Sequence, residues 1–403
     1  MSVSFWLDRP YKPSPALSGS CTADAVVVGA GMTGVGLACF LRERGLKIVM
    51  LERGMVAGGA TGRNVGFLVS GLGEHYARSI EFWGREPAAA ITRLHLKNHS
   101  LLAGIVAQHG IDCDYARDGG LVIAADEEEE DLLRRSHPLL LEDGFRCEFV
   151  EASQINKTLR ALGFGGGLFN PSDGHVDPVG LIRGMAAVAQ SGGVKFFEHT
   201  PVSQFRKAGV SWVAETEHGS VTTDLLFLAS NAWTPKLLPE MELAPVRGQC
   251  MAIGPLGEPP ITVPCYTNYG SEYWRGAGRY AILGGMRRAG NNEEVGYEDG
   301  VTEAVQSALD SFCRDHFPYL RSAPVTHRWS GIMSYTGDGL PLVGAVPHKG
   351  GMYLAAGYTG HGFGYAFLAA HWLVSLALDG SNEIPDLCRI DRTMRYSPSL
   401  KEI

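Results

Sequence analysis

Apolar residues flank a glycine-rich turn near the start of the chain in the order expected for a strand, a helix and a second strand. The apolar run 25–28 predicts a buried strand, and the run 46–51 predicts its parallel neighbour. The residues between the two runs predict the helix that connects them. Residues 23–52 are therefore expected to form a β-α-β unit.

The rest of the chain mixes helical and strand patterns. Apolar residues with helical spacing recur over 81–108, 177–190, 301–317 and 365–378. Alternating or fully apolar runs predict strands over 194–205, 211–217, 224–230 and 352–356, with further strands between 246 and 283. The last strand, a glycine-rich loop and the last helix mirror the opening unit. This order predicts an α/β fold, in which a discontinuous Rossmann-like domain is combined with a mixed-sheet (α+β) substrate domain.

The composition is typical of a globular enzyme. Of the 403 residues, 45% are apolar and 19% are charged, and the formal net charge is −8. Because no basic block or stripe is present, we expect no nucleic-acid partner. The eight cysteines are scattered without a CxxC pair, which indicates reduced thiols and no metal site. We expect no signal peptide, no membrane span and a cytoplasmic location, and the oligomeric state stays open.

The turn of the β-α-β unit carries the residues that bind a dinucleotide. Gly29 permits the tight turn, Gly31 lets the backbone approach a pyrophosphate, and Gly34 lets the helix pack on the strand. The helix start offers free backbone N–H groups and the positive end of its dipole to the phosphates. Glu52 closes the second strand, where an acidic side chain accepts hydrogen bonds from ribose hydroxyls. The unit therefore predicts a bound dinucleotide.

Three further motifs narrow this prediction. The first is Gly59-Ala60-Thr61-Gly62-Arg63-Asn64-Val65-Gly66, in which small residues let backbone amides lie against a flat ring. The second and third are the glycine-containing blocks 329–344 and 356–364. Together with Glu52-Arg53, they resemble the flavin-contacting segments of the D-amino-acid-oxidase-like family of FAD-dependent oxidoreductases. The lead-in Phe5-Trp6 is similar to the γ-glutamylputrescine oxidase-like members, which the chain resembles most.

The resemblance implies FAD as cofactor and a division into two domains. The FAD-binding domain would comprise residues 1–75, 160–240 and 325–403, and the substrate domain residues 76–159 and 241–324. Val202 matches the residue that pairs through its backbone with adenine, and the closing loop 360–363 would face the pyrimidine edge of the flavin. The residues expected to contact FAD are Gly29, Gly31, Met32, Thr33, Gly34, Glu52, Arg53, Ala60, Thr61, Gly62, Arg63, Asn64, Val65, Gly66, Val202, Gly331, Gly360, His361, Gly362 and Phe363.

Position 333 departs from the pattern of two groups of family members. Glycine oxidase-like members carry an Arg there, which would hold a substrate carboxylate through two hydrogen bonds. Sarcosine oxidase-like members carry near this place a Cys that links covalently to the flavin. Met333 can do neither, so we expect non-covalent FAD and an amine substrate rather than a small α-amino acid. Sarcosine oxidase-like members also carry near Ile282 a Lys that promotes reaction with oxygen. Because this chain lacks that Lys, the sequence leaves open whether its electron acceptor is oxygen or another oxidant.

The sequence offers candidates for the substrate pocket but no assigned catalytic acid or base. The candidates are Met333, Tyr335, Tyr273, Arg275 and His361. His361 lies between glycines, so we expect its backbone to matter more than its side chain.

Other polar residues are interpreted as structural. Arg63 is expected to pin its loop, since a guanidinium stays protonated. Arg287 and Arg288 are expected in a solvated loop, although either could bind an anionic tail of a substrate. His75 and His175 have no partner at metal-ligand spacing.

The expected activity is oxidation of a primary or secondary amine to an imine, by hydride transfer to the flavin followed by hydrolysis. Three alternatives stay open at this point. One is an amino-acid oxidase or dehydrogenase whose carboxylate clamp has moved to Arg275, Arg287 or Arg288. Another is a nicotinamide dehydrogenase, and the third is a non-catalytic flavin-binding subunit.

Overall fold

The structure is a computed structural model that describes residues 2–71, 74–260 and 263–394. Its strands, numbered in chain order, are β1 (Gly19–Thr22), β2 (Ala25–Val28), β3 (Ile48–Leu51), β4 (Phe67–Leu68), β5 (Gly120–Ile123), β6 (Glu148–Val150), β7 (Gly167–Asn170), β8 (Gly174–His175), β9 (Lys195–Phe197), β10 (Val202–Ala208), β11 (Ser211–Thr216), β12 (Gly219–Thr223), β13 (Leu225–Leu228), β14 (Ala244–Ile253), β15 (Cys265–Thr267), β16 (Glu272–Ala277), β17 (Tyr280–Gly285), β18 (Val325–Tyr335), β19 (Leu342–Ala345) and β20 (Met352–Ala356). The helices are α1 (Met32–Arg42), α2 (Tyr76–Trp83), α3 (Arg85–His109), α4 (Glu127–Glu142), α5 (Ala152–Leu159), α6 (Pro178–Ser191), α7 (Thr234–Leu237), α8 (Glu303–His316) and α9 (Gly362–Asp379).

A six-stranded sheet in the order β19-β20-β13-β2-β3-β9 forms the nucleotide-binding part of the fold. All its neighbouring strands run parallel except the pair β19 and β20. Every residue of β2 and β3 is buried, as expected for a parallel sheet covered on both faces. The first glycine turn and Glu52 both lie at the carboxyl ends of these two strands, where open α/β sheets bind their ligands.

An eight-stranded mixed sheet in the order β18-β14-β17-β16-β15-β5-β7-β6 forms the second large layer. Its longest pairing joins β14 to β18 in antiparallel register, with Gly248 opposite Gly331 and Val246 opposite Met333. A separate four-stranded sheet, β1-β12-β11-β10, flanks the nucleotide-binding part. The α/β fold class with a mixed second sheet is therefore confirmed.

The helix α9 follows the closing loop and is the most apolar helix of the described residues. It meets the test of length and hydropathy for a membrane span, which the sequence pattern did not predict. Most of its side chains are nevertheless buried in the protein, where α9 packs against α1, α3 and the six-stranded sheet. This burial is that of a core helix.

The predicted division into two domains stays a prediction. Two strands of the eight-stranded sheet fall within the segments predicted for the FAD-binding domain. Residues 325–335 form β18 and 167–170 form β7, and both strands belong to the eight-stranded sheet rather than to the nucleotide-binding sheets. The reason is that β18 pairs along ten residues with β14 before the chain returns to the parallel sheet. Residues 395–403 of the predicted FAD-binding domain lie outside the described residues.

Most predicted elements are present, with several differences. The strand predicted over 194–205 forms two strands, β9 and β10, which belong to different sheets. The helical pattern 81–108 is divided at Gly84, whose backbone φ of +89° ends α2 and precedes α3. The strand β18 was not predicted, because its sequence was interpreted only as a flavin-closing motif.

Asn98 links α3 to the start of α9. This fully buried side chain donates a hydrogen bond to the Phe363 carbonyl at 2.7 Å and accepts one from the Leu368 N–H at 2.9 Å. Asn98→Leu removes both bonds and should cost about 1–3 kcal/mol of stability, seen as a lower melting temperature of the purified protein. The control is Gln108→Leu, which removes an exposed amide from the same helix and should leave the melting temperature unchanged. Equal melting temperatures for the two variants would contradict this role of Asn98.

Candidate active site

The first glycine turn is packed so tightly that side chains are excluded from it. Gly29 has a φ of +103°, and a Cβ there would lie 2.6 Å from the Ala229 carbonyl oxygen. A Cβ on Gly34 would collide with the Gly29 carbonyl oxygen. The helix α1 begins directly after Gly31, so its first N–H groups lie at the turn. This is the arrangement that the dinucleotide-binding sequence predicts.

Glu52 ties this turn to the second strand. Its carboxylate accepts hydrogen bonds from the Ala30 N–H and the Gly54 N–H, each at 2.7 Å. Burial raises the pKa of Glu52, and the two N–H groups act against that rise. The carboxylate lies on the wall of the cavity described below and keeps lone pairs that can accept hydroxyl protons.

The loop 59–66 is held by its own polar side chains. The Asn64 side chain donates to the Thr61 carbonyl at 2.7 Å and accepts from the Gly66 N–H at 2.7 Å. The Arg63 guanidinium donates to the Gly58 carbonyl at 3.0 Å and to the Ser330 carbonyl at 2.8 Å. Arg63 therefore pins its loop to β18.

The N-terminal residues support the same loop, which sequence reasoning missed. Trp6 is buried, and its indole N–H donates to the Asn64 carbonyl at 2.7 Å. Ser4 is also buried, and its hydroxyl donates to the Gly62 carbonyl at 2.5 Å. The signal was present in the lead-in Phe5-Trp6, because an aromatic pair is seldom left exposed in an extended segment.

One long cavity of about 1260 Å³ joins the predicted cofactor and substrate residues. The predicted FAD residues on its wall are Gly29, Gly31, Met32, Thr33, Glu52, Arg53, Ala60, Thr61, Arg63, Asn64, Val65, Val202, Gly331, Gly360, His361, Gly362 and Phe363. Gly34, Gly62 and Gly66 lie behind the wall, where a Cβ at each would collide with a backbone carbonyl. A cavity of this volume that begins at a side-chain-free turn and at the Glu52 carboxylate fits FAD.

The far end of the cavity brings three predicted pocket residues together. A Cβ built on Gly360 would lie 3.7 Å from the Tyr335 hydroxyl and 3.8 Å from the Met333 sulfur. A Cβ built on Gly248 would lie 2.9 Å from the Met333 methyl carbon and 3.9 Å from the Tyr273 hydroxyl. These side chains and the loop 360–363 therefore form one end of the cavity.

The comparisons with known proteins agree with this geometry. The model of the family described as FAD dependent oxidoreductase matches residues 24–376. The chain belongs to this family. It is 27% identical over 374 residues to gamma-glutamylputrescine oxidoreductase of Escherichia coli, covering 91% of this chain and 86% of that protein. It is 25% identical to glycine oxidase of Geobacillus kaustophilus over 84% of this chain and 88% of that protein.

The crystal structure of glycine oxidase from Geobacillus kaustophilus has the same fold. It superposes with a TM-score of 0.81 at 22% identity and covers 93% of this chain and 100% of that chain. The protein is thus an FAD-dependent enzyme that acts on amines or amino acids. The family match identifies an FAD-dependent oxidoreductase rather than a nicotinamide dehydrogenase.

His361 combines a backbone role with a place on the cavity wall. Its Nδ1 lies 2.9 Å from the Thr359 carbonyl oxygen, and its backbone is the residue before α9. Burial lowers the pKa of His361, so the imidazole is neutral near neutral pH. The start of α9 directs the positive end of a helix dipole at this part of the cavity, which stabilises negative charge there.

Arg275 is not a pocket residue, contrary to the prediction. Its side chain is buried away from the cavity and donates to the carbonyls of Val65 at 2.7 Å, Val176 at 2.8 Å and Gly276 at 3.0 Å. The alternation of faces along β16 explains the error, because Tyr273 and Arg275 share one face but only Tyr273 reaches the cavity.

The two histidines interpreted as structural have carboxylate neighbours. His75 Nε2 lies 2.8 Å from the buried Glu129, and His175 Nδ1 lies 3.4 Å from Asp118. Within the described ranges, no group of three or more His, Cys, Asp or Glu side chains is placed to hold a metal ion.

Gly31 lies where a branched side chain would enter the cavity. A Cβ there would already be 3.1 Å from the Thr61 hydroxyl, and the two methyl groups of valine would project toward the pyrophosphate position. Gly31→Val should therefore lose FAD, measured as the flavin absorbance per mole of purified protein. Gly104→Val, at an exposed site in α3 with open space around it, is the control. Normal flavin content in both variants would contradict a role of this turn in FAD binding.

Cys250 is the cysteine that lines the cavity among the described residues, so a covalent link to the flavin needs testing. Burial raises the pKa of its thiol to about 12, and the thiol rather than the nucleophilic thiolate is present at neutral pH. Acid precipitation should therefore release all flavin into the supernatant, in the wild type and in Cys250→Ser alike. Flavin that stays with the wild-type pellet but not with the Cys250→Ser pellet would disprove non-covalent binding.

Proposed function

We propose that this enzyme oxidises a primary or secondary amine to an imine, which water then hydrolyses. Bound FAD supplies the acceptor for the hydride that leaves the carbon next to the amine nitrogen. The observation that carries the proposal is the position of Met333 at the end of the cavity that the closing loop 360–363 forms, beside Gly360 and Gly248. A thioether offers no charge-assisted hydrogen bond, so a carboxylate attached to the oxidised carbon would lie there unpaired.

The surrounding residues support a neutral amine rather than an ammonium ion. Tyr266 and Tyr273 line the same end of the cavity, and burial raises the pKa of both phenols, so both stay protonated and uncharged. Protonated phenols offer no negative charge to an ammonium ion, so this wall disfavours the ammonium form and thereby helps its proton to leave. Since the pKa of His361 is lowered by burial, His361 is a weak base, and we assign no side chain as the general base.

The named relatives act on different substrates, so they do not decide whether this chain oxidises an amine or an amino acid. One is named for γ-glutamylputrescine and another for glycine. The amine assignment for this chain rests on Met333 alone. Ile282, the position near which sarcosine oxidase-like members carry a Lys, is fully buried in β17. The electron acceptor, oxygen or another oxidant, stays a prediction. The cytoplasmic location also stays a prediction.

An anaerobic screen of the holoenzyme tests this proposal. Alkylamines and N-methylalkylamines should remove the visible flavin absorbance faster than glycine or D-alanine at equal concentration. The controls are enzyme without substrate and substrate with free FAD. Faster reduction by glycine or D-alanine than by every amine tested would overturn the proposal.

Met333→Arg should shift the preference toward carboxylated substrates. The new guanidinium would supply the two hydrogen bonds that the methionine lacks, and we expect the ratio of reduction rates, glycine over alkylamine, to rise about tenfold or more. Met333→Leu conserves the apolar character and should keep the wild-type ratio. An unchanged ratio in a flavin-loaded arginine variant would mean that residue 333 does not face the substrate.

A further inference from the structure

A second polar feature lies next to Met333. The Arg287 guanidinium donates a hydrogen bond to the Tyr335 hydroxyl at 2.7 Å, and its central carbon lies 5.0 Å from the centre of the Tyr335 ring. Both residues line the cavity, and Arg287 is half-buried. The sequence favoured a solvated loop here and left binding of an anionic tail open; the exposed Arg288 fits the first expectation, whereas Arg287 contacts Tyr335 on the cavity wall.

The backbone before Arg287 is arranged to direct it over the cavity. The strand β17 ends at Gly285 with a φ of +121°, and Met286 follows in the left-handed region at +54°. The Met286 N–H donates to the Ser271 carbonyl at 3.1 Å, which fixes the turn to the neighbouring strand. A left-handed non-glycine residue is uncommon, and here it turns the chain away from the sheet.

The charge on Arg287 is unpaired among the described residues. Two other arginines on the cavity wall have carboxylate partners, since Arg78 lies 3.3 Å from Glu74 and Arg63 lies 3.7 Å from Asp299. Arg53 instead lies over the Trp233 ring, and Arg288 is exposed. No carboxylate of the described residues lies within ion-pair distance of Arg287, and one of its five N–H groups donates to the Tyr335 hydroxyl. A half-buried guanidinium with free donors is a binding site for a carboxylate.

The position of Arg287 fixes where that carboxylate would sit. The Tyr335 hydroxyl and the Met333 sulfur both lie within 4 Å of the Cβ position on Gly360, whereas Arg287 does not. Arg287 therefore contacts this end of the cavity through the Tyr335 hydroxyl. With the oxidised carbon beside Met333, the carboxylate that Arg287 would bind is one carried further along the substrate.

We propose that Arg287, oriented by Tyr335, binds a carboxylate that the amine substrate carries several bonds away from the carbon that is oxidised. The substrate class is then the ω-amino carboxylates and their N-substituted forms. This inference rests on the proposed amine oxidation and assigns the specificity of the same cavity.

Matched pairs of substrates test the inference with the holoenzyme. The first pair is 6-aminohexanoate and hexylamine, and the second is 4-aminobutanoate and butylamine. Each pair keeps the amine and the chain length and differs by the carboxylate. The wild type should be reduced at a lower half-saturating concentration of the longer amino acid than of hexylamine. Arg287→Met should raise that concentration for 6-aminohexanoate roughly 10- to 100-fold and change it little for hexylamine.

Two further variants and one binding measurement separate the outcomes. Arg44→Met removes an exposed arginine paired with Asp379, distant from the cavity wall, and should change neither substrate. Hexanoate alone should perturb the visible flavin spectrum of the wild type and bind Arg287→Met more weakly, which tests the site without turnover. If no amine reduces the flavin, the proposed function fails. The hexanoate titration would then still show whether Arg287 binds a carboxylate.

Three results would overturn the inference. One is an equal preference of the wild type for both members of each pair. Another is an equal loss for hexylamine and 6-aminohexanoate in Arg287→Met. The third is loss of the carboxylate preference in Arg288→Met, the exposed neighbour, but not in Arg287→Met.

Discussion

Close backbone approach at the first glycine turn is the constraint on which the rest of the site depends. Gly29 and Gly34 pack carbonyl against backbone with no room for a side chain, and Glu52 binds the turn to the next strand through the Ala30 N–H. This contact leaves one end of the cavity lined by backbone. The helix α1 then starts at that end, where the Met32 N–H donates to the Thr61 hydroxyl at 3.1 Å and the first turn of the helix can donate to a diphosphate.

The other end of the cavity depends on the pairing of two long strands. The long pairing of β14 with β18 carries residues 331–335 from the eight-stranded sheet to the closing loop, and the Thr359 N–H joins that loop to the Ser334 carbonyl at 2.8 Å. The predicted cofactor end is therefore built by the mainly parallel sheet, and the other end by the antiparallel pairing of β14 and β18 in the mixed sheet. This division lets residues such as Met333 vary without disturbing the dinucleotide turn.

The cofactor end was predictable from the sequence because its determinants are local. Gly29, Gly31 and Gly34 act within six residues, and Glu52 follows at a spacing set by one helix and one strand. The substrate end was not, because its contacts join segments far apart in the chain. Arg275 shows the limit, since an alternating strand predicts which side chains share a face but not which of them reaches a cavity. The contact of Arg287 with Tyr335 could not be predicted either, because the sequence does not reveal that Met286 adopts a left-handed backbone conformation, which turns the chain before Arg287.

The proposed selectivity rests on electrostatics. Buried phenols, a thioether and a neutral histidine lie near the closing loop, and the Arg287 guanidinium adds positive charge at the Tyr335 hydroxyl. A substrate complementary to both would place its amine near the loop and its negative charge at the arginine. The proposed substrate class follows from the order of these two regions along one cavity.

A crystal structure of the FAD-loaded enzyme, grown under argon with 6-aminohexanoate, tests this arrangement most directly. The account predicts the pyrophosphate at the N–H groups that begin α1, the ribose hydroxyls at Glu52, the amine end beside Met333 and the carboxylate within hydrogen-bond distance of Arg287. A ligand in the reverse orientation, or a carboxylate bound away from Arg287, would contradict the substrate assignment. A pyrophosphate placed away from the glycine turn would contradict the account as a whole.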